Sequence, residues 1–345
     1  MIPRARSGAL ETVLALYVLA YVPNVVLTRL TTQELDAARV ATQGGAAILP
    51  ASLLFNLVLT LGFIYWAGWH RDAHAFFVRG WRVPRPTWGT LASGTGSALI
   101  LCTVPLSFTF TTVSIPFIQL LMKGSILLLA PLVDLLYGRR IRWWSVASLV
   151  LVAVALVVVI GDRGGLDAPP LALLTVALYT GGYLLRIVVM THVAKREDPT
   201  TGRGYFVEEK LVALPLSLVI LVTLASLGPG NDSFAASLAV LSAPGSAVFW
   251  MMLGVGITLC VVAICATVIL LAPQENSYCV PLERSTSLVA GLLASWFLHL
   301  GFDMEAPTAA EMFGALLLIS AIVLLTVAPR RARVAVDRRT VAVRG

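Results

Sequence analysis

Lys123 stands in the middle of the apolar run from Ser114 to Tyr137, SIPFIQLLMKGSILLLAPLVDLLY, and is the first residue in the chain placed to do chemistry. A membrane helix needs about 20 residues at about 1.5 Å each, so this run is long enough to span and the lysine falls near its centre. An ammonium at that depth is costly, and by default it marks a substrate or ion site. Gln119 lies four residues before it and Asp134 eleven after it, so all three fall near one face of one helix. Asp134 is about three turns, roughly 16 Å, from Lys123 and cannot pair with it. The partner of Lys123 is therefore a distant carboxylate, with Glu283 the candidate, or a substrate anion, or water in a cavity; the remaining alternative is a lysine that burial leaves neutral.

Glu283 and Arg284 form a second chemical group, followed by the hydroxyls of Ser285, Thr286 and Ser287. Neighbouring helix positions point about 100° apart, which predicts that this pair borders one cavity without neutralising itself. Glu283 reads either as a protonatable, gradient-coupling carboxylate or as an ion-pair partner for Lys123. Two sets of polar residues recur at helical spacing: Tyr17, Tyr21, Asn24 and Thr28 in one run, and Tyr179, Tyr183 and Arg186 in another. They line a cavity or form a polar packing seam, and for Arg186 the rival is snorkelling to head groups. Glu208-Glu209-Lys210 reads as a solvated helix start. His70 and His74 have a spacing that suits a shared metal, but the flanking Trp66, Trp69 and Trp81 favour an interfacial belt. No metal and no cofactor is expected, and no Walker-type loop is present to drive ATP-powered pumping by this chain alone.

The elements that must position these residues follow from composition. The 345 residues are 58% hydrophobic and 12% charged, with a mean hydropathy of +0.88, which describes a polytopic all-α membrane protein. Ten apolar runs supply the spans: about 7–30, 45–68, 88–108, 114–137, 145–160, 171–193, one opening at 208, 247–271, one carrying Glu283, and 313–327. Successive cytoplasmic segments carry two, four, three, three and six Lys or Arg, against Arg39 and Arg163 outside, so both termini are cytoplasmic. The net charge of +7 is scattered through these short segments and sets orientation; nucleic acid is not an expected partner. Cys102, Cys260, Cys265 and Cys279 lie within apolar runs and indicate neither a disulfide nor a metal site. Arginine greatly outnumbers lysine, which suits a bacterial inner membrane of a GC-rich host.

Five spans per half is odd, so a second half repeating the first enters the membrane from the opposite side, the arrangement transporters build around a midplane site. The halves are 1–165 and 166–329, with a basic cytoplasmic tail at 330–345. The fourth and ninth spans both carry a proline and a cation. The fourth-to-fifth run PFIQLLMKGSILLLAPLVDLLYGRRIRWWSVASLVLVAVALVVVIG, and ENSYCVPLERSTSLVAGLLASWF with FGALLLISAIVLL, resemble the drug/metabolite transporter superfamily. That resemblance covers essentially the whole chain and implies ten helices in two inverted five-helix repeats. The triose-phosphate and nucleotide-sugar branch carries a lysine in span four, and its phosphate translocators a Lys-Arg pair in span nine. Lys123 and Arg284 match, while Glu283 stands where that pair has lysine and offsets the field a phosphate needs.

The resulting expectation is a secondary transporter or exchanger, not an enzyme, moving a small polar or anionic organic metabolite by alternating access. Lys123 and Arg284 hold the negative group, Glu283 tunes or protonates the site, and Gln119, Tyr17, Tyr21, Asn24, Tyr179, Tyr183 and Arg186 complete it. The rivals are proton-coupled efflux of amphipathic or cationic compounds on Glu283, and a membrane-embedded enzyme. The expected partners are a small-molecule substrate and membrane lipids, with the chain a monomer or homodimer.

Overall fold

The computed structural model describes residues 7–37, 44–79, 81–110, 113–136, 143–162, 169–193, 199–227, 231–270 and 276–344. These form eleven α-helices, which we number in chain order: α1 Ser7–Ala37, α2 Gly44–Trp66, α3 Trp88–Thr109, α4 Ile115–Leu136, α5 Trp143–Asp162 and α6 Pro170–Val193. They continue as α7 Pro199–Leu227, α8 Asn231–Leu241, α9 Ala247–Leu270, α10 Asn276–Phe302 and α11 Ala309–Arg344. The apolar runs become helices because only a helix satisfies all its backbone polar groups within one segment. Six of them, α1, α2, α3, α6, α9 and α10, are long and apolar enough to cross a membrane, and Leu19, Val157 and Leu300 lie on the outer surface. The chain is an all-α membrane protein.

Four features depart from the sequence reading. A hairpin of β1 Ala75–Val78 and β2 Trp81–Pro84 occupies the segment read as a basic loop, with Phe76 opposite Val83 and Phe77 opposite Arg82. The short α8 lies between the seventh and eighth predicted spans. α7 begins at Pro199, nine residues before the expected start, and α11 runs on as helix through the segment read as a tail. The side chains of Asp134 and of the tail arginines lie outside the described residues, as do Arg39, Arg163, Lys195 and Arg196.

In the packing, α3 runs along α6 and α7, α9 runs along α1 and α2, α5 pairs with α11, and α4 meets α10. The α3–α6 crossing is close because Gly96 and Gly182 meet backbone to backbone; a Cβ on Gly182 would sit 2.7 Å from the Gly96 carbonyl oxygen. Small residues at such crossings let membrane helices approach. Gly96→Leu is expected to lower stability by about 1–3 kcal/mol through overpacking. Gly181, which has open space at its Cβ, serves as the control: thermal unfolding in detergent should distinguish Gly96→Leu from a near-neutral Gly181→Leu.

α3 is tied at both ends. At its start Thr87 and Thr90 form a reciprocal cap, with the Thr87 backbone donating to Thr90 Oγ1 at 2.7 Å. Beyond its end, the buried Arg29 of α1 donates to the carbonyls of Phe108, Phe110 and Val113 at 3.1, 2.6 and 3.1 Å. A cation there complements the negative end of the helix dipole and satisfies carbonyls that lack helical partners.

Candidate functional site

Four helices bring eight of the predicted residues together at the centre of the bundle. α4 supplies Gln119 and Lys123, α10 supplies Glu283 and Arg284, and α1 and α6 each contribute a tyrosine pair at i, i+4 spacing. All eight are buried. Tyr17 stacks on Tyr21 with ring centroids 5.5 Å apart, and Tyr179 stacks on Tyr183 at 6.0 Å. Phe108 of α3 meets Tyr21 edge-on at 6.3 Å. The first tyrosine pair belongs to one apolar cluster and the second to another, so the charged residues sit at the seam between two packed units.

The pairings within this site correct the sequence reading. Glu283 and Arg284 do neutralise each other, with Nε and Oε2 2.8 Å apart. Their Cβ atoms diverge as helix geometry demands, but both side chains are long and buried, and each bends to the nearest opposite charge. Tyr17 donates to the other carboxylate oxygen of Glu283 at 2.8 Å. Arg284 donates to the Tyr179 hydroxyl, and its guanidinium lies 3.8 Å from the centroid of the Tyr183 ring. Glu283 therefore faces Tyr17 and Arg284, and no ion pair joins it to Lys123 among the described residues.

Lys123 is left with a neutral partner. Its Nζ donates to Gln119 Oε1 at 2.6 Å and lies 5.3 Å from the centroid of the Tyr21 ring. Because an ammonium has only donors, it fixes the amide with the oxygen inward, and the Gln119 Nε2 then has no hydrogen-bond partner. Gly291 of α10 makes room for this amide; a Cβ there would collide with it. Lys123 retains spare N–H groups and Gln119 Nε2 brings two more, so this corner holds buried donors in excess of acceptors. A cavity of about 300 Å³ opens where α1, α4 and α10 end, walled by Arg29, Ser114, Ile115 and Glu305 among others. Ile115 is one helical turn, about 6 Å, from Gln119.

Two predicted site residues lie elsewhere. Asn24 donates to the Val255 carbonyl at 3.2 Å and to Thr258 Oγ1 at 3.0 Å, forming the α1–α9 seam. Arg186 neither snorkels nor joins the central site: its Nε lies 3.2 Å from Glu209 Oε1, and it donates to Thr267 Oγ1 at 3.2 Å. The two histidines do not converge, since His70 stacks on Tyr65 while His74 contacts Glu208 Oε1 at 2.7 Å.

The sequence reading missed the residues around Arg186. Glu208, Glu209 and Lys210 are fully buried rather than solvated. Glu209 accepts from Ser97 at 2.6 Å and has Lys210 Nζ at 3.4 Å, while Ser93 hydrogen-bonds Tyr205 beside it. Glu208 turns the other way and accepts from the His74 backbone at 2.9 Å and from Thr90 Oγ1 at 3.0 Å, joining α7 to the hairpin and to the start of α3. One signal was available: the three charges are flanked by Phe206-Val207 and Leu211-Val212-Ala213-Leu214 with no turn residue between. Arg186 is one turn beyond Tyr183, so this inner cluster adjoins the central site along one face of α6.

No family model matches the chain. No curated protein matches it. It is similar to a solved structure described only as the crystal structure of a protein, with a TM-score of 0.47 and 14% identity, covering 92% of this chain and 98% of the other.

Proposed function

We propose that this chain is a secondary transporter or exchanger that moves a small polar or anionic organic metabolite across the membrane by alternating access. The observation that carries the reading is the donor surplus at Lys123 and Gln119, buried where an unmatched donor is costly. A substrate anion is the missing acceptor. A separate cavity walled by Arg29, Ile115, Asp303 and Glu305 lies at the start of α4, with Ile115 one helical turn from Gln119.

Ten spans in two inverted five-helix repeats, with cytoplasmic termini, is the architecture of this reading. Two observations support it. Tyr17, Tyr21 and Asn24 on α1 repeat the spacing of Tyr179, Tyr183 and Arg186 on α6, and the two tyrosine pairs stack at similar interplanar angles, 28° and 29°. The packing repeats too: α9 runs along α1 as α3 runs along α6, and α10 adjoins α11 as α4 adjoins α5. Repeats of this kind bind substrate between their halves, and the central site draws on α1 and α4 from one proposed half and α6 and α10 from the other. Efflux of cations on Glu283 gains no support, since that carboxylate is already held by Tyr17 and Arg284.

A metabolite screen by thermal stabilisation of the purified protein is the direct test. A ligand present at 100 times its Kd is expected to add about 2.7 kcal/mol of apparent stability, and the same compound should show trans-stimulated uptake into proteoliposomes. Conversion of a stabilising ligand to product in detergent would instead point to an enzyme and end the transport reading.

A further inference from the structure

The central site holds three formal charges, and their arrangement leaves one over. Arg284 is charge-paired: the Glu283 carboxylate lies 2.8 Å from its Nε, one Nη donates to Tyr179, and the Tyr183 ring covers its face at 3.8 Å. A guanidinium recognises phosphate through its charge and its planar fork of donors, and here the charge is already offset by the adjacent carboxylate. Lys123 remains, a point charge beside Gln119 Oε1 and the unpartnered Gln119 Nε2. Two cations and one carboxylate sum to a single positive charge. Tyr21 lies beside Lys123 with Phe108 edge-on to it, and Tyr179 and Tyr183 stack beside Arg284, aromatic surface that suits an apolar or flat body.

Resting on the transport reading, we infer that the central site takes an organic anion bearing one negative charge, a single carboxylate on an apolar or flat body, and turns away dicarboxylates and phosphate esters. A monoanion brings the buried site to neutrality. A dianion leaves one negative charge uncompensated in a low-dielectric interior, where its desolvation is not repaid. Glu283 is thus the specificity determinant. It removes from Arg284 the charge that a second anionic group would need.

The test compares benzoate with phthalate, the same ring with one or two carboxylates, and butyrate with succinate as the open-chain pair. Binding to the purified full-length protein is measured near neutral pH by thermal stabilisation and calorimetry. Wild type is expected to prefer the monoanion of each pair by at least about tenfold. Glu283→Gln leaves two positive charges and should reverse the order. The double variant Glu283→Gln, Arg284→Gln removes the whole pair, keeps one positive charge, and should retain the wild-type order even if it is less stable. Tighter phthalate or succinate binding by wild type overturns the inference, and so does an order unchanged by Glu283→Gln. If none of the four binds wild type, the anion site itself is wrong and the transport reading loses its substrate.

Discussion

Replacing Lys123 by methionine is expected to abolish ligand binding and uptake while leaving the ligand-free protein as stable as wild type, or more so. The two effects have opposite signs because they have one cause. The buried ammonium has a neutral amide and an aromatic face for company, and no carboxylate pairs with it among the described residues. In the ligand-free state it is therefore a buried charge without a direct counter-ion, and methionine, similar in length and apolar, relieves that penalty. In the bound state the same charge is the chief attraction for an anion, and losing a fully desolvated partner of this kind costs roughly 2–5 kcal/mol, about 30-fold or more in affinity. Isothermal titration with a ligand from the screen, paired with thermal unfolding in detergent, separates the two effects. If Lys123→Met unfolds the protein while a surviving fraction still binds, the lysine is scaffold and the site must be sought elsewhere.

Glu209→Gln is expected to produce the largest stability loss of any single substitution considered for this chain, about 3–5 kcal/mol, because it leaves two buried cations without a counter-charge. Arg186 and Lys210 both lean on this carboxylate, at 3.2 and 3.4 Å, and Ser97 donates to it from α3. The substitution would also loosen the contact by which α6, α7 and α3 meet. Replacing Arg186 and Lys210 by methionine in the same protein should recover much of the loss, since apolar residues of similar size often match a buried ion cluster in stability. Chemical or thermal unfolding of the single and triple variants checks this. A loss below about 1 kcal/mol for Glu209→Gln would show that the cluster behaves as an exposed one.

The sequence by itself determined the helices and much of the central site. Apolar runs such as Trp88 to Phe108 reappear within a residue as α3, because a backbone in lipid has no alternative to the helix. That Lys123, Gln119 and the tyrosine pairs share inward helix faces was legible for a related reason: a charge or a repeated polar face inside an apolar run turns away from lipid toward the bundle. The chain has only three lysines among its 25 Lys and Arg, and two of them, Lys123 and Lys210, lie inside the bundle. The second was overlooked because Glu208 and Glu209 beside it looked like a solvated end.

Tertiary structure alone decided the partners. Whether Glu283 meets Lys123 or Arg284 depends on how α1, α4 and α10 stand against one another, and helix periodicity fixes only the direction in which each side chain leaves its own axis. Tyr17 and Glu283 are 266 residues apart, and their hydrogen bond follows from that packing rather than from any local pattern. Glu209 likewise becomes a buried anchor only because α7 starts at Pro199 and passes the small residues of α3, where Ser97 and Arg186 await it. Local pattern sets where a charge can point; the neighbouring helices set what it finds there.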